Sequence, residues 1–271
     1  MRYYEATPYF ERSLRPKTLS VTTILIITCC IIFVLQLLCW RFLGLDLCLS
    51  LGLVPQDAIQ RLHFWQFFTY MFLHAPSDIF HILINMLILY IFGRELEAST
   101  GRKRFLQIYI ICGMYAGLCY VVYRYIVGGI GYPTIGASGA IMGVMVVFAM
   151  MWPHRTILFF FIIPMKVWVC VLIFLGIDLL YMVTQFEGDV AHAAHLGGAL
   201  CGFLIYRLGP WIEELRLKID QKRAQREYLK RAKLRKEVDR ILERISTHGM
   251  QSLTPREKRI LKSASKVFKH Y

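Results

Sequence analysis

From Ser20 to Trp40 the chain runs without a single charged residue. About 20 apolar residues are what a helix needs to cross roughly 30 Å of hydrocarbon, and the sequence repeats the pattern. Six such spans can be drawn, at about 20–40, 78–94, 105–127, 137–152, 166–184 and 190–208. Of 271 residues, 56% are hydrophobic, above the ~45–50% of ordinary soluble domains, and the excess falls in these runs. No alternating-strand pattern supports a barrel. The expected fold class is therefore an all-α membrane protein, a six-helix bundle with a small helical region after it. The first span is too long for a signal-peptide core and lacks a cleavage site, so it is expected to be retained. The fourth is short, which predicts a helix enclosed by its neighbours and starting below the membrane surface.

Basic residues set the orientation. Arg2, Arg12, Arg15 and Lys17 precede the first span, and Arg94, Arg102, Lys103 and Arg104 join the second to the third. The alternate connections hold few: Arg41 and Arg61 in the long first loop, Arg124 before the fourth span, none from 184 to 190. Both termini are therefore expected on the cytoplasmic side. The first loop, 41–77, carries Trp65, Phe67, Phe68, Tyr70, Met71, Phe72 and Leu73. Such an aromatic run suits a membrane interface, so the loop is expected partly embedded beside the bundle. The eight cysteines lie mostly in apolar segments without paired spacing and read as small packing residues.

Residues 1–19 are expected to be a cytoplasmic segment, 20–208 the membrane domain, 209–237 a charged helical linker and 238–271 a helical hairpin. Residues 209–271 hold 18 Lys and Arg against 8 Asp and Glu, a net of +10 of the chain's +14. Val238, Ile241, Leu242 and Ile245 follow helical spacing. Gly249 suits a helix end, and Thr254-Pro255-Arg256-Glu257 is a capping box with proline at the first helical position. Ile260, Leu261, Ala264, Val267 and Phe268 make a second stripe. A solvated helical face is the default for so charged a tail. An anionic lipid surface or a cytoplasmic protein are the partners its charge would suit, at about 1 kcal/mol per basic residue near lipid; nucleic acid is not expected.

Two of the apolar segments carry chemistry. Gly136-Ala137-Ser138-Gly139-Ala140 opens the fourth span, and Ala191-His192-Ala193-Ala194-His195-Leu196-Gly197-Gly198 lies in the sixth. A serine and a histidine are the minimum set for nucleophilic acyl transfer. Both spans begin on the outer side, and His195 lies about five residues, or near 7 Å, into the sixth. A recessed fourth helix would let the two side chains meet at one depth. His81 and Asn85, four apart, share a face of the second span.

These residues resemble a rhomboid intramembrane serine protease of the bacterial six-span type, over about 20–208, and the resemblance implies a bacterial plasma membrane as the location. The likeness rests on Gly136-Ala137-Ser138-Gly139, on His81-Ile82-Leu83-Ile84-Asn85-Met86, on Glu97 four before Gly101, and on Ala194-His195-Leu196-Gly197-Gly198 with Gly202. It implies Ser138 as nucleophile and His195 as general base. His81 and Asn85 would stabilise the oxyanion together with the Ser138 backbone N–H. Trp65, Glu97, Gly136, Gly139, Gly198 and Gly202 would be structural supports, with Glu97 tying the first loop to the helices. Gly198 and Gly202 would let the fourth and sixth helices approach closely. His74 is read as a support of the first loop or of the oxyanion site. The implied substrates are single-pass membrane proteins cut in or next to their transmembrane segments in the lipid bilayer. Serine acyl chemistry requires no cofactor or metal, and none is expected.

The sequence departs from the family at two places. Trp65-Gln66 stands where a Trp-Arg pair is usual, so a charged, bidentate anchor of the first loop is missing. Met142 stands where some members place a tyrosine that stacks on the histidine. His192 is the alternative base or an interfacial histidine. Asp178 could be a third triad member; because the family works as a dyad, a polar contact between helices is expected instead. A catalytically inactive relative that binds membrane helices is the alternative function. A transporter would need an inverted repeat, and a zinc hydrolase a His-Glu-x-x-His pattern; the sequence has neither.

Overall fold

The computed structural model describes residues 19–159, 162–184 and 192–268. The basic segment before Leu19, the connection after Thr184, which holds no basic residue, and the first residues of the sixth expected span lie outside them. The chain divides into two compact units, Met1–Gly209 and Pro210–Tyr271.

In the first unit, α1 (Val21–Leu38) continues as a π-turn over Cys39–Leu43. The first loop folds into short helices, α2 (Leu47–Leu51), α3 (Pro55–Gln60) and α4 (Gln66–Thr69), the last running into a 3₁₀ turn at Tyr70–Phe72. Then come α5 (Ile79–Ile88), a π-turn at Leu89–Gly93, α6 (Arg94–Thr100), α7 (Arg102–Val127) and α8 (Ser138–Met151). A two-stranded antiparallel hairpin follows, β1 (Thr156–Phe159) against β2 (Ile163–Lys166), with Thr156 opposite Lys166. The chain continues as α9 (Val167–Thr184) and α10 (His192–His248), within which the boundary of the units falls.

Among the described residues, four helical stretches are long and apolar enough to cross a membrane: Val21–Leu43, Ile79–Thr100, Arg102–Val127 and Val167–Thr184. Helix α8 has 14 residues, only about 21 Å of helix. Every residue from Gly139 to Ala149 is buried. A helix apolar all round and enclosed by its neighbours need not match the lipid thickness. The sixth expected span forms the opening of α10.

The inward face of α1 repeats at Thr22, Leu25, Cys29, Phe33 and Gln36, the i, i+3, i+7 pattern of one helical stripe. Both ends of that stripe are polar. Glu97 Oε1 accepts from the Val21 N–H, and its Oε2 accepts from the Thr22 N–H and hydroxyl, all at 2.8 Å. The carboxylate thus satisfies donors that the start of α1 would leave orphaned. This corrects the expectation that Glu97 ties the first loop: its partners lie at the head of α1. The loop is held by the other end of the stripe. Gln36 Oε1 accepts from the His74 N–H at 3.1 Å, and its Nε2 donates to the His74 carbonyl at 3.0 Å.

The hairpin is a strand element that the helical reading did not contain. Arg155, just before it, pairs with Glu95 of α6 at 2.6 Å.

In the second unit, α10 ends at Gly249, whose φ of +76° suits a residue without Cβ. A 3₁₀ turn at Met250–Ser252 leads to α11 (Pro255–Phe268). Ile241, Leu253 and Ala264 are buried there. Leu242, expected in the inward stripe, is exposed, because it lies about 100° around the helix from Ile241. The capping box is closed: Glu257 Oε2 accepts from the Thr254 N–H at 2.8 Å, and Thr254 Oγ1 accepts from the Glu257 N–H at 3.3 Å. The side chains of Val267 and Phe268 lie outside the description.

Candidate active site

Ser138 is the first residue of α8, and Ala137 at its cap makes no side-chain hydrogen bond to the helix. The opening N–H groups of α8 are therefore left to face whatever lies before them, with the positive end of the helix dipole behind them. Gly136 turns the chain into this start at a φ of +124°, a conformation that favours glycine. Its N–H donates to the Tyr70 carbonyl at 2.9 Å. Tyr70 is anchored in turn by its hydroxyl, which donates to the Gly113 carbonyl of α7 at 2.6 Å.

His195 comes from α10. Its Nε2 lies 2.7 Å from Ser138 Oγ. Small residues make this possible. A Cβ on Gly198 would collide with the carbonyl oxygen of Gly139, and one on Gly202 with that of Gly143. The two backbones meet, so a serine and an imidazole suffice to bridge the helices. On its other side α8 packs on α7, where a Cβ on Gly139 would come 2.6 Å from Ala116 Cβ and one on Gly143 would strike Cys112.

His81, on α5, faces the same space. A Cβ on Gly136 would lie 2.9 Å from His81 Nε2 and 3.6 Å from Ser138 Oγ. His81 Nδ1 accepts from the Ala75 N–H at 3.3 Å. In a neutral ring the proton then sits on Nε2, which makes that nitrogen a donor toward the serine. Asn85 is buried one turn on, and its Nδ2 donates to the His81 carbonyl at 2.7 Å. One amide hydrogen is engaged there and the second is left to give. His74 meets the His81 ring edge-on at 5.2 Å. Burial, followed by the neighbouring His81, pulls the His74 imidazole down to about 3.

The first loop is held without an arginine. Gln66 is fully buried; its Oε1 accepts from the Val54 N–H at 3.2 Å and its Nε2 donates to the Ser50 carbonyl at 3.4 Å. Trp65 Nε1 donates to the same carbonyl at 3.5 Å, its ring stacked on His63 and half exposed. The neutral amide thus clasps the loop by accepting at one end and donating at the other, a pair of roles that a donor-only guanidinium does not have. Leu53 and Thr134 exchange N–H···O bonds of 2.9 Å, which tie this loop to the segment leading into Ser138.

Asp178 makes the expected polar contact between helices, from α9 to α10, and its partners are two histidines. Its Oδ1 lies 2.9 Å from His195 Nδ1 and 2.7 Å from His192 Nδ1. The acid placed as a helix contact therefore touches the histidine of the pair. His192 stacks on Tyr181 at 5.0 Å and 15°, while Met142 is buried within α8. The three ligand atoms of Asp178, His192 and His195 lie within 4.8 Å of one another, a donor set suited to a divalent cation as well as to hydrogen bonding. Sequence reasoning did not single out Gln36 or Tyr181. Gln36 had a signal, as the one polar amide in an otherwise charge-free span, in register with Thr22.

A serine hydroxyl on an imidazole, beside a second imidazole that donates, opens the comparison with known proteins. The sequence model of the Rhomboid domain matches residues 61–210. The chain belongs to the rhomboid family. A second model, a family of unknown function, matches residues 219–267. This rhomboid is 32% identical over 178 residues to Rhomboid protein 1, mitochondrial, of Saccharomyces cerevisiae, covering 61% of this chain and 46% of the relative. It is 24% identical to RHOMBOID-like protein 12, mitochondrial, of Arabidopsis thaliana, over 59% of this chain and 51% of that one. It is 30% identical to the human presenilin-associated rhomboid-like protein, mitochondrial, over 46% and 33%. The chain thus spans about half or less of the curated relatives it matches. It is a helical membrane protein of a family that includes intramembrane serine proteases and inactive members. The mitochondrial names of the relatives lend no support to the bacterial plasma membrane expected from the sequence.

Proposed function

We propose that this rhomboid is an intramembrane serine endopeptidase that hydrolyses peptide bonds in or next to the membrane segments of single-pass proteins. The observation that carries the reading is the 2.7 Å contact between Ser138 Oγ and His195 Nε2 at the head of a buried, short helix. His195 takes the hydroxyl proton as Oγ attacks the peptide carbonyl, and returns it to the leaving amine as the C–N bond breaks. The negative oxygen formed in between is met by the Ser138 N–H, the His81 Nε2–H and the free hydrogen of the Asn85 amide. Loss of one such donor in a comparable site costs about 100- to 1,000-fold in rate. Water then repeats the sequence on the acyl-enzyme.

The domain organisation that goes with this is a six-span core over 20–208, both ends on the same side of the membrane, followed by the linker and helical hairpin. Family members without activity make the alternative, a helix-binding protein that does not cut, and the retained Ser138 and His195 speak against it. Cleavage of a model single-span substrate in detergent decides. The wild type cuts and is labelled by a fluorophosphonate; Ser138→Ala and His195→Ala cut no faster than background, and Ser138→Ala takes up no label. Persistent cleavage by Ser138→Ala would end the reading.

A further inference from the structure

Helix α9 carries one charged residue, Asp178, in an 18-residue apolar segment, and that residue is only 5% exposed. An acid at such depth is costly, and a single hydrogen bond to a neighbouring helix would satisfy it. Asp178 does more: one oxygen, Oδ1, serves two imidazoles, at 2.7 Å and 2.9 Å. One of these imidazoles is the ring whose far nitrogen meets Ser138. The arrangement interlocks two i, i+3 pairs. Asp178 and Tyr181 project from α9, His192 and His195 from α10, and Tyr181 stacks flat on His192. The His192 and His195 rings stand edge to face at 6.2 Å and 87°.

We propose that Asp178, fixed by His192, is a positioning residue that turns the expected Ser–His dyad of this chain into an Asp178–His195–Ser138 relay. The inference rests on the proteolytic reading given above. A carboxylate only accepts hydrogen bonds, so both Nδ1 atoms must donate to it. A neutral His195 with its proton on Nδ1 has a bare Nε2, which is the tautomer able to take the Ser138 proton. As the Oγ–C bond forms, that proton moves to Nε2 and the ring becomes an imidazolium with the Asp178 charge at its back. When the C–N bond breaks, the proton leaves with the amine and the ring returns to its starting tautomer. Asp178 holds no proton at any step. His192 stays neutral, donates its Nδ1–H to the shared oxygen and keeps the carboxylate from swinging away. Its ring is braced by Tyr181 rather than by the nucleophile, which separates its role from that of His195.

The test uses the full chain in detergent with a single-span substrate and a fluorophosphonate probe. Asp178→Asn keeps the shape and removes the charge. Its kcat and its labelling rate fall together by about tenfold or more, short of the ~10⁴-fold seen when the acid of a full triad is amidated. KM and the thermal unfolding midpoint stay at wild-type values. His192→Phe keeps the ring stack and removes the donor; it lowers kcat by less and leaves KM unchanged. Wild-type kcat and labelling in a folded Asp178→Asn protein would overturn the proposal. If that variant does not fold, an unchanged kcat in His192→Phe overturns it instead. Ser138→Ala, run beside them, keeps the two readings apart. Cleavage lost there but intact in Asp178→Asn removes only the relay, whereas cleavage that survives Ser138→Ala removes both.

Discussion

Between Gly198 and the carbonyl of Gly139 there is no room for a methyl group, and this is what sets the reach of the Ser138–His195 contact. Added bulk at such a point must be absorbed by moving a helix, at a cost of about 1–3 kcal/mol. Gly198→Ala is expected to lower the unfolding midpoint in detergent. It also lowers cleavage more than midpoint loss alone explains, because the shift separates the nucleophile from its base; assaying both on one preparation checks this. At this scale the sequence was legible where spacing along one helix decides. His81 with Asn85, and His195 with Gly198 and Gly202, share faces by arithmetic. Asp178 was not legible in the same way. Its cost in an apolar span flagged it, but which neighbour it meets depends on the rotation of α9 against α10, and one span's pattern does not contain that angle.

At the scale of elements, the first loop shows where local pattern gives out. Its aromatic run announced an interfacial segment, yet three short helices with buried Leu53, Tyr70, Met71 and Leu73 could not be read from it, because their order comes from partners on α1 and α7. The hairpin was hidden for another reason. Thr156–Ile163 is a short apolar run, and periodicity does not tell a strand from a buried helical piece at that length. The loop carries a pH consequence through His74. Unfolded, its imidazole takes a proton near 6.5; folded, only near 3. Between those values unfolding binds a proton, so this residue weakens the fold as the pH falls below 6.5, by up to ~1.4 kcal/mol per pH unit, and has no effect above it. Thermal midpoints measured from neutral pH down to pH 4 are expected to fall more steeply for the wild type than for His74→Gln. Parallel slopes would refute the assignment.

For the molecule as a whole, the Rhomboid domain match ends at residue 210 and the second family match begins at 219, close to the division of the chain at Gly209 and Pro210. Every group placed at the candidate site lies in the first unit. Removing residues 210–271 is therefore expected to leave cleavage of the model substrate intact; a truncated protein that folds but does not cut would show that the tail contributes to the reaction. The change in composition at 209 was readable from charge alone. The number of spans is less plain: six can be drawn, but among the described residues four are long and apolar enough to cross, α8 has 14 residues and the sixth run merges into a 57-residue helix.

Gln66 holds the first loop with a neutral amide that both accepts and donates, where the usual arginine would bring charge. Dissolved ions weaken attraction between exposed charges but have little purchase on an uncharged clasp closed inside the protein. The exposed Arg155–Glu95 pair is open to such weakening, while the grip of Gln66 on Ser50 and Val54 is indifferent to ionic strength and to how many anionic lipids surround it.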